Sequence, residues 1–272
     1  MKLKKSFSFT DKNQIWRLLI SKTDKIIIET RNTETKEAFF HCYNFLTEKK
    51  IFKDLQLEEK YWLGIEAVDN DIIYFHHFAK PNMPEHKGIF AYDINEEKII
   101  WQNSDLVFLT IYENKIYAFK RKFEGQDVYI LDNLTGEITK VLGSDLNKVN
   151  EILNIVQFNE DYSQYKYPEK YNNNGNYKIS EIINSEIKNK EIVENVETII
   201  FSEYLLFNYY MKNKNNLLDN VFAVYNIDKK KKVSSEIINK NLNATSPDSF
   251  FCYKNFLVLL KNKNEILVQK FI

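Results

Sequence analysis

The sequence predicts an all-β fold, a single β-propeller of about five blades with four to seven allowed, carrying a short helical or irregular insertion. Three observations predict it. Aromatic residues make up 15% of the chain, with 17 Tyr and 20 Phe. Strand signals follow one another at short spacing, and one hairpin design recurs along the sequence. The 272 residues are assigned to one domain, 1–272, since an all-β domain of this size is common and buries enough surface to need no staple.

Aromatic and β-branched side chains fit a pleated, half-buried surface, so the composition leans toward strand. In the first half, strands are expected at 15–20, 25–30, 38–45, 62–68, 71–78, 88–94, 98–101, 106–112, 115–120 and 128–132. Thr23-Asp24, Asp69-Asn70, Glu113-Asn114 and Thr135-Gly136 punctuate them as turns. Ile26-Ile27-Ile28 and Ile72-Ile73-Tyr74-Phe75 show no polar alternation. Strands of that kind are covered on both faces, as in stacked blades.

Four segments share the repeat, a strand ending in Tyr or Leu and then Asn or Asp, a polar turn, and a second strand. They end their first strand at Tyr43-Asn44, Tyr92-Asp93, Leu131-Asp132 and Tyr225-Asn226, with spacings of 49, 39 and 94 residues. A period of roughly 40–50 residues marks a propeller blade. The last spacing is near two periods and predicts a degraded or interrupted copy. Residues 145–176 are read as that insertion or degraded blade. Leu146, Val149, Ile152, Leu153 and Val156 follow an Asp145 cap at helical spacing, and a Tyr-, Asn- and Lys-rich loop with an Asn174-Gly175 turn comes next. Strands return at 197–202, 204–211, 221–225, 249–253, 256–260 and 265–272, and residues 2–9 are suited to pair with the last of them, as propellers close their rings.

The 38 basic and 38 acidic residues cancel, so no excess charge draws phosphate backbones or anionic lipid, and neither nucleic acid nor membrane is expected as a partner. Cys42 and Cys252 lack CxxC spacing and are read as buried free thiols, which with the absence of a signal-peptide core points to the cytoplasm.

The densest chemistry lies in His76-His77-Phe78-Ala79-Lys80-Pro81-Asn82-Met83-Pro84-Glu85-His86-Lys87-Gly88, which holds three of the four histidines. As a metal site it would use imidazoles with Glu85 or another carboxylate. On a strand His76 and His77 point to opposite faces, so only one joins His86, and a third ligand must come from elsewhere, such as Glu66. As structure alone, it is a proline-stiffened loop whose histidines bond to backbone. Arg17, set among apolar residues in a strand, is expected to pair with Glu29 or Glu66; Arg17 and Arg31 are read either as bidentate donors of an anion site or as a buried or rim salt bridge. The ligand-binding candidates are therefore Arg17, Arg31, Glu66, His76, His77, His86 and Lys87; no cofactor and no metal is assigned. Trp16, Trp62 and Trp101 are expected to pack between blades.

Ala91, Asp93 and Trp101, and again Leu131-Asp132 with Thr135-Gly136-Glu137, resemble the quinoprotein-like (PQQ-like) propeller repeat, whose Asp and Gly shape a turn and whose Trp packs between blades. The block from Tyr61-Trp62-Leu63-Gly64 through His76-His77-Phe78 to Ala91-Tyr92-Asp93 resembles an uncharacterised bacterial family of propeller-like proteins. The resemblance covers the first half well and implies a fold and a bacterial source but no activity. Quinone-dependent enzymes use adjacent cysteines, which this chain lacks. No G-x-S-x-G elbow, P-loop, HExxH or EF-hand loop occurs. The expected function is a non-enzymatic scaffold binding a protein or small ligand on one propeller face. The alternative is a hydrolase or lyase built around His76, His86, Glu66 and Arg17.

Overall fold

The computed structural model describes residues 2–80, 83–172, 176–246 and 249–272; the Asn174-Gly175 turn and Pro81-Asn82 lie outside them. The chain divides into two compact units, residues 13–161 and residues 1–12 with 162–272. The fold class is the expected one, all-β and assembled from propeller-type blades.

The first strand, β1 (Leu3–Thr10), belongs to the second unit. In the unit 13–161, β2 (Gln14–Ile20), β3 (Lys25–Asn32), β4 (Glu37–Asn44) and β5 (Lys50–Leu55) form blade I, an antiparallel meander. Blade II follows with β6 (Leu63–Asp69), β7 (Ile72–Lys80), β8 (Met83–Asp93) and β9 (Lys98–Asn103). Blade III comprises β10 (Val107–Tyr112), β11 (Lys115–Arg121), β12 (Gln126–Asp132) and β13 (Ile138–Gly143), and touches blade II through one parallel pairing, Val107 with Gly88. Helix α1 (Leu146–Asn159) closes this unit, with the Asp145 carboxylate accepting from the Asn147 and Lys148 amides as the sequence predicts.

In the second unit come the short β14 (Tyr165–Lys166) and β15 (Glu169–Lys170), then helix α2 (Tyr177–Ile187). Strands β16 (Ile192–Phe201), β17 (Tyr204–Lys212), β18 (Leu218–Asn226) and β19 (Lys231–Leu242) make blade IV, with β15 on its edge. Blade V is β20 (Phe250–Tyr253), β21 (Phe256–Lys261), β22 (Glu265–Phe271) and β1, with β14 on its edge. The β1–β22 pairing runs from Leu3 with Phe271 to Thr10 with Glu265, so the two chain ends share one sheet.

The recurring Asn/Asp has one job. Asn44 accepts from the Leu46 and Thr47 amides, Asp93 from Asn95 and Glu96, Asp132 from Leu134 and Thr135, and Asn226 from Lys229, at 2.7–2.9 Å. Each bond closes the turn between the third and fourth strands of a blade, where a short polar side chain mimics a backbone turn. The fifth copy is missing because blade V takes its fourth strand from β1, leaving no such turn to build. The 94-residue spacing accordingly holds an insertion and no degraded blade among the described residues: α1, β14, β15 and α2 fill it.

Alternation along β7 explains its apolar character on both faces. Ile73 and Phe75 pack with Ile27, Phe40 and Cys42 of blade I, whereas Ile72 and Tyr74 pack with Ile116, Ala118 and Leu131 of blade III. Trp101 lies over Gly136 and donates from Nε1 to the Asn133 carbonyl at 3.0 Å, so it does pack between blades. Trp16 does not: it is 57% exposed, because β2 is the edge strand of its blade. Trp62 is half-buried against Phe78 of its own blade. In the second unit Leu206, Phe222 and Val224 face Phe250, Leu257 and Leu259 of blade V, and Leu205, Phe207 and Ala223 turn the other way toward Ile179, Ile182 and Ile183 of α2. Both cysteines are free and buried. No helix of the described residues is long and apolar enough to cross a membrane.

Candidate functional site

Two irregularities in blade II bring its chemistry together. On β6, Ile65 pairs with Phe75 and Ala67 with Tyr74, so Glu66 is an extra, unpaired residue. On β8, Phe90 pairs with Phe75 but Lys87 pairs with His77, so one residue more is spent on β8 than on β7. Gly88, with φ +74°, lies in that bulge, where glycine adopts the left-handed conformation freely. Such bulges re-aim side chains and bend the strand locally.

The result is a compact Glu66–His76–His86 cluster. The His76 and His86 rings stack with centroids 3.5 Å apart and planes 21° from parallel. His86 Nδ1 stands 2.6 Å from Glu66 Oε1. His76 Nδ1 donates to the His77 carbonyl at 3.2 Å, which leaves the lone pair on Nε2. Beside that Nε2 is Gly64, where a Cβ would come within 2.7 Å, so only glycine leaves the ring its place. Phe78 presents its ring edge-on to both imidazoles, at 4.9 and 5.6 Å.

The electrostatics follow from the packing. His76 is 3% exposed. Burial, helped by the neighbouring His86 and by Arg17 and Arg31, carries its pKa down to about 3 against a weaker opposing effect of the His77 carbonyl. Two imidazolium charges 3.5 Å apart would repel by about 5 kcal/mol even at an effective dielectric of about 20, so the stacked pair does not hold two protons. Burial raises the Glu66 carboxyl, only partly offset by His86 and Arg17. A neutral imidazole lone pair, a second imidazole and a carboxylate thus converge at one place.

The remaining candidates disperse. His77 turns to the opposite face, as the strand period requires, and packs on Phe90 at 4.3 Å, with burial lowering its pKa. Lys87 is exposed, and Glu85 pairs with Arg121 away from the cluster. Arg17 is exposed and donates to the Ile65 carbonyl beside Glu66. Arg31 is buried and spent: Nε bonds Glu29 at 2.6 Å, Nη1 the Tyr61 carbonyl at 2.9 Å, and Nη2 the Leu63 carbonyl. That arrangement is the salt-bridge alternative, and it ties β3 to the start of blade II. Arg17 and Arg31 do not act together on one anion.

A second feature was hidden in the stretch read as loop. Tyr165 and Tyr167, on and after β14, lie stacked with centroids 5.9 Å apart and planes 1° from parallel. Tyr162 packs on Tyr165, Tyr167 on Phe251, and Tyr165 on the buried Tyr253. Tyr162 is 58% and Tyr167 52% exposed, and Lys254 stands over Tyr253 at the edge of the group. The Tyr-x-Tyr spacing at 165–167 was the available signal, since alternate residues of a strand share a face.

Residues 20–101 match the family model described as a domain of unknown function, DUF4905; that span contains Glu66, His76 and His86. No curated protein matches the sequence. Among solved structures, the β-propeller domain of the Trilobed protease from Pyrococcus furiosus aligns over 91% of this chain and 77% of its own, at 12% identity and TM-score 0.33. A DUF4221 member from Bacteroides vulgatus aligns over 100% and 96%, at 10% and 0.33. Kluyveromyces lactis Hsv2 aligns over 92% and 71%, at 12% and 0.30. Likenesses this remote carry no argument about function.

Proposed function

We propose that the chain is a non-enzymatic binding scaffold whose partner docks on the tyrosine ladder at the edge of blade V. The exposed Tyr162 and Tyr167, backed by Tyr165 and Phe251, carry this reading. Tyrosine supplies large, rigid contact area at low entropic cost and is enriched in recognition surfaces. Lys254 stands over Tyr253 at the edge of the ladder, which suits a protein partner presenting an acidic, extended segment. β14 ends its sheet, so such a segment has a strand edge to follow. The cytoplasm as its compartment is supported by two buried free thiols, and the neutral charge total speaks against nucleic acid and membrane surfaces. The Asp93 and Asp132 turns, with Trp101 over Gly136, support kinship with quinoprotein-like repeats and, through the family resemblance, a bacterial source.

The test is a photo-crosslinking residue in place of Tyr167 in cells of the source. A discrete protein adduct that disappears in Tyr162→Ser/Tyr165→Ser, with the fold retained by circular dichroism, supports the scaffold. Diffuse labelling unchanged by those substitutions rejects it. The hydrolase or lyase reading rests on the Glu66–His86 contact, which has acid–base form. His76, held neutral, is a weak base at pH 7, which disfavours that reading. Turnover of an ester, phosphoester or glycoside panel that is lost in Glu66→Gln would reverse the ranking.

A further inference from the structure

We propose that Glu66, His76 and His86 bind one divalent transition-metal ion of the zinc type. The site is independent of the tyrosine ladder and lies in the other unit.

The donor set is the first argument. One nitrogen from each histidine and one carboxylate oxygen all lie within 4.8 Å of one another. Donors of a tetrahedral zinc sit about 3.3 Å apart, given bonds of about 2.0–2.1 Å, so closing the shell needs side-chain movements of about 1.5 Å. Two His and one Glu, with a fourth position open to water, form a known zinc ligand set. Imidazole nitrogen selects zinc, cobalt, nickel or copper over the hard oxygen-seeking magnesium and calcium.

The orientation of the rings is the second. Nδ1 of His76 is committed to a backbone carbonyl, the kind of contact that fixes the tautomer of a metal-binding histidine and leaves the lone pair on Nε2. Gly64 keeps the volume beside that Nε2 free of a side chain. The Glu66–His86 contact gives the second imidazole a carboxylate, either as its orienting partner or, on rotation, as the third ligand.

The third argument is that a cation resolves what the cluster otherwise leaves costly. His76 and the Glu66 carboxylate are largely drawn from water beside His86, and an ion bonded to all three returns the solvation they lose. The bulges at Glu66 and at Gly88 serve this convergence.

The experiment uses the full chain, stripped with chelator and titrated with Co²⁺ followed by absorption and with Zn²⁺ by calorimetry at pH 7.5, Mg²⁺ serving as control. One Zn²⁺ per chain is expected, with visible Co²⁺ bands, no Mg²⁺ uptake, and a higher midpoint of thermal unfolding in zinc. His76→Ala/His86→Ala should weaken Zn²⁺ at least 100-fold and Glu66→Gln about 10- to 100-fold. If the double variant does not fold, His86→Asn alone, at a half-exposed position, should lose at least 10-fold. Absence of Zn²⁺ and Co²⁺ uptake at 100-micromolar concentrations, or uptake that survives these substitutions, overturns the proposal.

Discussion

Glu186 is a carboxylate 5% exposed at the end of α2, and removing its charge should loosen the helix from blade IV in a pH-dependent way. Burial by itself would raise its pKa, but four donors reverse that. Lys232 lies at 2.6 Å, Tyr225 donates at 2.5 Å, and Lys190 and Tyr209 each at 2.9 Å. Together they bring the carboxyl from an ordinary 4.5 down to about 2. At about 1.4 kcal/mol per unit, that fall is worth about 3 kcal/mol in full. Because the folded pKa is depressed, the stabilisation is complete above the unfolded value and drains as pH falls toward the folded one. About 2 kcal/mol of it should vanish between pH 7 and pH 3. Glu186→Gln keeps the shape and removes the titration. The assay is urea unfolding of both proteins at pH 7, 5, 4 and 3, taking the difference at each pH so that every other carboxylate cancels. The variant should be about 2–4 kcal/mol less stable at pH 7, since it strands two tyrosine hydroxyls and two lysines, and the gap should narrow by about 2 kcal/mol at pH 3. A gap that stays constant with pH would refute the reasoning, whatever its size.

Gly64→Ala puts a Cβ 2.7 Å from His76 Nε2 and should cost about 1–3 kcal/mol in thermal or urea unfolding. Gly136→Ala meets both a φ of +71° and the Trp101 ring at 2.5 Å, so about 2–4 kcal/mol should be lost, with a change in Trp fluorescence that Gly143→Ala does not produce. Burial pushes both the Cys42 and Cys252 thiols up to about 12, leaving about one molecule in 10⁴ as thiolate at pH 8, so a thiol reagent should label neither in the native protein and both in urea.

How much of this was legible in the sequence depended on whether local chemistry or pairing register decided it. Asn44, Asp93, Asp132 and Asn226 advertised the blade turns because a turn is made by the residues within it. The opposite directions of His76 and His77 followed from strand period alone. Glu66 was named as a partner of His76 and His86 on its chemistry, but the two bulges that bring it to His86 leave no mark in a one-dimensional pattern. Helix α2 was missed although Ile179, Ile182, Ile183 and Glu186 have helical spacing behind an Asn176 cap. The Asn- and Lys-rich surroundings masked it. β14 and β15, two residues each, are defined only by partners far along the chain. Trp16 reads as a core residue by type but lies on an edge strand, a property of sheet order.

The most direct test of the Glu66–His76–His86 cluster as the chemical centre of blade II is anomalous scattering at the zinc edge from crystals of the chain grown with Zn²⁺. A single strong peak within about 2.0–2.2 Å of nitrogens of both His76 and His86 and of a Glu66 carboxylate oxygen is the predicted result. Zinc bound only elsewhere, with the two rings still stacked and Glu66 unmoved, would contradict it.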